Sequence, residues 1–107
     1  MVKEANRDGS IWHFNDFKNY SIIERKPIDL SFMGYKLTLA PPPSSGGTTV
    51  ATILNIVSNY DYKSMARDTF THLLIEAMRR AYKDRSEYLG DPDFVDVTVD
   101  MLSLIHI

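Results

Sequence analysis

Residues 41–47 read Pro-Pro-Pro-Ser-Ser-Gly-Gly and divide the chain into two differently patterned halves. We call this stretch the Pro-Ser-Gly loop. Proline fixes φ and has no backbone N–H to donate to a ladder, so a strand cannot continue through the three prolines. Glycine permits a close backbone approach where a side chain would clash. We therefore expect a strand to end before the loop and a helix to begin after its glycines, with Ser44 or Ser45 accepting a hydrogen bond from a free first-turn N–H.

The sequence before the loop predicts a β-hairpin. In residues 35–39, apolar side chains alternate with polar or small ones, which places the apolar set on one face of a strand. Residues 21–32 are rich in isoleucine with charges interposed, and Gly34 follows them where a hairpin would turn. Pro27 confines the first strand to an edge or a bulge at that point.

The sequence after the loop predicts two helices, because apolar residues recur there at the helical period. Gly90 and Pro92 are expected to end the second helix, and residues 94–99 alternate as a short strand. The two apolar stripes contain Val50, Ile53, Leu54 and Val57 in the first helix and Phe70, Leu73, Leu74, Ala77, Met78 and Ala81 in the second.

This order of elements predicts an α+β fold with the two main helices on one side of short strands. Ahead of the strands, residues 1–10 read as the end of a helix running into a turn at residues 8–10, and Asn15 or Asp16 is expected to cap a short helical turn. The side chains expected to be most enclosed are Leu37, Leu39, Ile53, Leu54, Leu73, Leu74 and Met78.

Composition excludes several function classes. The formal charge is −2 and the basic residues are interspersed with acidic ones, which argues against nucleic-acid binding. The absence of cysteine removes disulfides, thiolate zinc sites and thiol nucleophiles. No apolar run approaches the roughly 20 residues of a membrane-spanning helix. The first residues lack the apolar core of a signal peptide.

No metal or cofactor site is predicted. His13 and His72 have no partner at metal-ligand spacing. The acidic residues near the C-terminal half lack the alternating ligands and central glycine of a calcium loop, so they are interpreted as helix-surface and capping charges. They are Glu76, Asp84, Glu87, Asp91 and Asp93.

The last six residues suggest a different origin. Residues 102–107, Leu-Ser-Leu-Ile-His-Ile, can be back-translated as CTG TCT CTT ATA CAC ATC, the mosaic-end sequence of a transposon library adapter. A native apolar strand ending at Ile107 is the alternative. We expect residues 1–101 to be the native segment and residues 102–107 to derive from the adapter, which leaves His106 without a function.

A wider set of residues around the loop resembles the gamma-glutamyltransferase family. That family carries the same Pro-Pro-Ser-Ser-Gly-Gly run, here Pro42 to Gly47, between a strand and a helix ahead of its self-cleavage point. One departure is His13, where the family usually has threonine. The matches over about residues 9–97 include Gly9, Ile11, Asp16, Tyr20, Glu24-Arg25, Pro27 and Gly34-Tyr35 before the loop, and Ile53 to Ile56, Glu76-Ala77, Ala81-Tyr82, Asp84-Arg85 and Tyr88 to Phe94 after it.

The resemblance implies part of an N-terminal-nucleophile hydrolase (αββα) fold. Such a precursor cleaves itself, and the freed threonine attacks a gamma-glutamyl amide, usually glutathione, with its own α-amine as base and without a cofactor. The implied partners are the rest of the same precursor, including the smaller chain with the nucleophile, and small gamma-glutamyl substrates. A bacterial member would be periplasmic or secreted.

The resemblance assigns no catalytic residue to this chain. Thr48-Thr49 is followed by Val50, whereas the family's nucleophilic threonine pair begins the smaller chain and is often followed by histidine. The arginines do not match the family's glutamate anchors and are interpreted as solvated or salt-bridged; they are Arg25, Arg79, Arg80 and Arg85. A structural role is assigned to the loop residues Pro42, Pro43, Ser44, Ser45, Gly46 and Gly47.

Three functional hypotheses remain open at this point. The chain is expected to be an inactive fragment of an enzyme that hydrolyses or transfers gamma-glutamyl groups. The alternatives are a fragment of a related cephalosporin or glutaryl acylase, which shares the fold, and a non-catalytic scaffold module.

Overall fold

The computed structural model describes residues 2–7 and 9–98 and has the predicted α+β class. Residues 102–107, with their expected adapter origin, lie outside the described residues. Among the helices of the described part, none is both long enough and apolar enough to cross a membrane. The elements are α1 (Val2–Ala5), α2 (Phe14–Asn19), β1 (Ile28–Phe32), β2 (Tyr35–Leu39), α3 (Ser45–Ser58) and α4 (Arg67–Tyr88).

The β-hairpin is confirmed, with β1 and β2 antiparallel and joined by a two-residue turn. Met33 and Gly34 form the turn with φ of 53° and 82°. Positive φ at both central residues is what a type I′ turn requires, and this turn matches the right-handed twist of the strands. The pairing of Phe32 with Tyr35 sets the register. Glycine adopts positive φ without strain, whereas methionine does not.

The start of α3 differs from the sequence prediction. The helix begins at Ser45, ahead of Gly46 and Gly47, so the expectation that it begins after the glycines was wrong. The expected serine cap is confirmed, because the Ser44 hydroxyl oxygen accepts a hydrogen bond from the Gly46 N–H at 3.4 Å. The N–H groups in the first turn of a helix have no acceptor within the helix. The Ser44 oxygen accepts from one of them, which allows the helix to begin before the two glycines.

The core lies between α3 and α4, and α3 also packs against the hairpin. Ile56, Val57 and Ala77 are buried at its centre. Met78 is 42% exposed, so its predicted enclosure was wrong. Arg79 and Lys83, which were predicted to lie off the apolar stripe, are also exposed. The most enclosed apolar side chains among the described residues are small: Ala51, Ala77 and Ala81. The other residues predicted to be most enclosed are half-buried: Leu37, Leu39, Ile53, Leu54, Leu73 and Leu74.

The chain leaves α4 through a turn. The helix ends at Tyr88, as Gly90 and Pro92 predicted. The predicted strand at residues 94–99 is wrong over residues 94–98. The N–H groups of Phe94 and Val95 both donate to the Asp91 carbonyl, at 2.9 and 3.0 Å, and so form a turn. Within the described residues the sheet contains only β1 and β2. The alternating residues 94–98 therefore have no neighbouring strand with which to pair.

The N-terminal arm contains the two short helices. The expected helix end is confirmed at α1, and Gly9 of the predicted turn has φ 84°, while Asp8 of that turn lies outside the described residues. Capping of α2 differs from expectation, since His13 is the N-cap and Asp16 is the third helical residue. The Asp16 carboxylate reaches back to accept from the His13 N–H at 2.6 Å, which satisfies a donor ahead of the helix. Residues 11–23 are exposed throughout.

Candidate functional site

The Pro-Ser-Gly loop folds tightly against the end of β2. Pro42 and Gly47 are buried, and the Pro42–Pro43 peptide is cis. A Cβ atom added at Gly47 would lie 2.1 Å from the Ala40 carbonyl oxygen and 3.0 Å from its carbonyl carbon. At Gly46 the nearest atom would be the Ser44 hydroxyl oxygen at 3.6 Å, an ordinary contact. The two adjacent glycines therefore differ, because only Gly47 meets backbone that a side chain would displace.

The Asp84-Arg85 pair of α4 connects that helix to the start of α3. The Arg85 Nε atom donates to the Ser45 hydroxyl oxygen at 3.0 Å. Asp84 is only 6% exposed and lines a narrow crevice between α3 and α4 together with Thr48 and Thr52. A buried carboxylate needs polar neighbours, since burial of an unpaired charge is costly. Two motifs that are 40 residues apart in sequence thus meet at one helix start.

The hydroxyl groups of Thr48 and Thr49 lie within the first turns of α3. The Thr48 Oγ1 atom donates to the Ser45 carbonyl at 3.0 Å, and Thr52 Oγ1 donates to the Thr48 carbonyl at 3.0 Å. Thr49 Oγ1 is buried without a hydrogen-bond partner among the described residues. Neither threonine has an adjacent α-amine, because both lie within the helix.

Arg25 contacts the turn after α4. Its Nη2 atom lies 2.5 Å from Asp93 Oδ1 and 3.9 Å from Asp91 Oδ1. An open groove of about 660 Å³ lies beside this contact. The groove brings together residues 24–30, the first two prolines of the Pro-Ser-Gly loop, the α3 residues Thr48 and Ala51, and Pro92 and Val97 from beyond α4.

The remaining charged candidates lie on the exposed face of α4. Arg79 Nη1 donates to Glu76 Oε1 at 2.6 Å, and this hydrogen bond lowers the pKa of Glu76 below its ordinary value. His72 lies with Tyr60 and Glu76 beside a shallow cavity of about 330 Å³. Within residues 2–7 and 9–98, no group of three or more His, Asp or Glu side chains is placed to hold a metal ion.

Sequence reasoning missed two features of this region. The Arg25–Asp93 contact joins residues 68 positions apart, and no periodic signal links them. The burial of Asp84 was also missed, since the residue was interpreted as a helix-surface charge. The position of Asp84 three residues after Ala81, on the same face of the helix, was the available signal.

A family model described as Gamma-glutamyltranspeptidase matches residues 1–106. The chain belongs to the gamma-glutamyltranspeptidase family. It is 41% identical over 99 residues to the glutathione hydrolase proenzyme of Escherichia coli K12, covering 91% of this chain and 17% of that protein. It is 42% identical over 89 residues to the Acylase ACY 1 proenzyme of Pseudomonas sp. strain V22, covering 81% of this chain and 16% of that protein. The chain therefore spans less than a fifth of the length of these relatives.

The structural comparison confirms the expected fold. The crystal structure of Helicobacter pylori gamma-glutamyltranspeptidase superposes with a TM-score of 0.86 at 42% identity, covering 96% of this chain and 30% of that one. The chain is accordingly part of an N-terminal-nucleophile hydrolase fold, as the resemblance implied. The family is one of enzymes, and its curated members here include glutathione hydrolases made as proenzymes.

Proposed function

We propose that this chain is a structural segment of a precursor whose mature enzyme hydrolyses or transfers gamma-glutamyl groups. The observation that carries the proposal is the tight contact between Gly47 and the backbone of Ala40, because it engages the loop within the fold. The hydrogen bond from Arg85 to Ser45 adds to this interpretation. Under this proposal, the loop residues Pro42 to Gly47 have a structural role at the start of α3.

The catalytic threonine lies elsewhere in the precursor under this proposal. Thr48 and Thr49 lie within α3, so neither has a free α-amine, and the Thr48 hydroxyl donates to the Ser45 carbonyl. Catalysis requires the nucleophile, the base and the substrate anchors to be held in one geometry. The isolated chain is therefore expected to be inactive.

The exposed apolar side chains indicate a surface that the rest of the precursor would cover. Several large apolar side chains are exposed, including Phe14 at 69%, Ile22 at 87% and Phe94 at 86%. The rest of the same precursor is the proposed cover, and small gamma-glutamyl amides are the proposed substrates of the whole.

A second candidate is an acylase of the same fold. The identity to the Acylase ACY 1 proenzyme is as high as that to the Escherichia coli relative, so this segment does not favour one acyl donor over the other. Comparing gamma-glutamyl and glutaryl amides as substrates of the full-length precursor separates these two candidates, since the donor-binding residues lie outside this chain under either proposal.

A chimeric precursor tests the proposal. In it, residues of this chain replace the matching segment of the Escherichia coli glutathione hydrolase proenzyme. We expect the chimeric precursor to cleave itself and then to release the chromophore from gamma-glutamyl-p-nitroanilide, while the isolated chain releases none. Thr49-dependent release by the isolated chain would refute the structural role. A folded chimera that stays uncleaved would favour the non-catalytic scaffold.

A further inference from the structure

We propose that Arg25 and Asp93 form a clasp that fixes the path of the chain beyond α4 and thereby positions the segment leading to the self-cleavage point. The positioning role rests on the proposed function, whereas the clasp itself rests on the contacts described here. Arg25 lies ahead of β1 and Asp93 follows α4, so the pair joins the segment before the hairpin to the turn after α4.

The clasp joins residues that are far apart in sequence. The Arg25–Asp93 contact spans 68 positions, whereas the surface pair of Asp29 and Lys36 spans seven. The Arg25 side chain is 24% exposed and that of Asp93 is 40% exposed, so both are partly withdrawn from water. Partial desolvation strengthens a charge-assisted hydrogen bond relative to a fully exposed pair.

The turn held by the clasp is already organised locally. Asp91 Oδ1 accepts from the Asp93 N–H at 3.0 Å, and the Asp91 carbonyl accepts from the N–H groups of Phe94 and Val95. At Gly90 an added Cβ would lie 2.6 Å from Val95 Cγ2, so the turn closes back on its own start. These contacts organise the turn locally but do not set its orientation relative to the rest of the fold.

Arg25 supplies that orientation. Its Nη2 atom donates to the Asp93 carboxylate at 2.5 Å and lies 3.9 Å from the Asp91 carboxylate, so one nitrogen lies close to both acidic side chains of the turn. Beyond the turn, Val97 returns to line the same groove as Arg25 and Pro42. The chain that leaves α4 is thus directed across the Pro-Ser-Gly loop. We infer that loss of the clasp lets this part of the chain leave its path without disrupting the α3–α4 core.

Two measurements test the clasp, using the variants Arg25→Met, Asp93→Asn, their combination, and the charge swap Arg25→Asp with Asp93→Arg. Arg79→Met is the matched control, because Arg79 forms a pair of similar length that lies within α4. The first measurement is amide hydrogen exchange at residues 94–98 in the 107-residue chain. The second is the rate of self-cleavage of the chimeric precursor.

We expect each single clasp variant to raise exchange at residues 94–98 and to slow self-cleavage by about tenfold, the effect of losing one charge-assisted hydrogen bond. The double variant should show the same exchange and the same rate of self-cleavage as either single variant. The charge swap should restore most of the lost rate and protection. Arg79→Met should stay within about twofold of the parent, as exposed pairs contribute little.

Unchanged exchange in Arg25→Met and Asp93→Asn would overturn the clasp. Raised exchange with a parental rate of self-cleavage would overturn its positioning role. Independent, multiplying effects of the two substitutions, without recovery in the charge swap, would show that the two residues do not act as a pair. An unsubstituted chimera that folds but does not cleave would instead count against the proposed function, and hydrogen exchange would still decide the clasp.

Discussion

Replacement of Gly47 by alanine probes the closest contact of the Pro-Ser-Gly loop. The new Cβ would lie 2.1 Å from the Ala40 carbonyl oxygen, so the start of α3 and the end of β2 must separate by about 1 Å to restore an ordinary contact. Neither side yields easily, because β2 is hydrogen-bonded to β1 and α3 packs on α4.

The expected cost follows from two opposing effects. Overpacking typically destabilises a fold by about 1–3 kcal/mol, and a clash with backbone belongs at the upper end of that range. Alanine offsets up to about 1 kcal/mol of this through its higher helix propensity. We therefore expect Gly47→Ala to lose about 2 kcal/mol of unfolding free energy, and Gly47→Val to lose more.

The assay uses the chimeric precursor with Gly46→Ala as the matched control. Gly46 is exposed and its added Cβ has an ordinary contact at 3.6 Å, so this variant should lie within about 1 kcal/mol of the parent. Urea denaturation reports the free energy of unfolding, and gel electrophoresis reports the fraction that has cleaved itself. Gly47→Ala should lower both, and the protein that does mature should keep the parental KM.

Two results would refute this reasoning. Equal stability of Gly47→Ala and Gly46→Ala would mean that the approach to Ala40 relaxes without cost. Normal maturation of Gly47→Val with only a raised KM would mean that the loop belongs to the substrate site, contrary to the structural role proposed for it.

Three further predictions concern single side chains, each measured by urea denaturation of the chimeric precursor. Met33→Asn should stabilise the protein by about 0.5–1 kcal/mol, because asparagine tolerates the φ of 53° better than methionine; a loss of stability would contradict this. Thr49→Val removes a buried hydroxyl that has no partner among the described residues and should be neutral or stabilising by up to about 1 kcal/mol, whereas Thr48→Val breaks a hydrogen bond and should destabilise; the reverse order would count against these contacts. The hydrogen bond from Arg79 lowers the pKa of Glu76, so its contribution is present above the ordinary glutamate pKa and is lost as pH falls through the lower folded-state value. Parent and Glu76→Gln should therefore converge in stability as the solution is acidified, and a gap that widens in acid would reverse the assigned sign.

The hairpin, the end of α4 and the cap of α3 were predictable from sequence because their causes are local. Alternation and Gly34 indicated a turn between two strands, and the neighbouring Gly90 and Pro92 ended a periodic helix. The serine cap required only that a hydroxyl stand next to a helix start. The family was equally accessible, since ordered motifs over most of the chain identify it without coordinates.

Tertiary structure decided the rest, because packing and pairing depend on residues far apart in sequence. Residues 94–98 alternate like a strand, yet they form no ladder because no described strand lies beside them. Asp84 is buried because its helix face meets α3, and helical periodicity alone does not say which polar residue a neighbour will cover. Arg25 and Asp93 meet across 68 residues only because the whole fold brings the start of β1 beside the exit of α4.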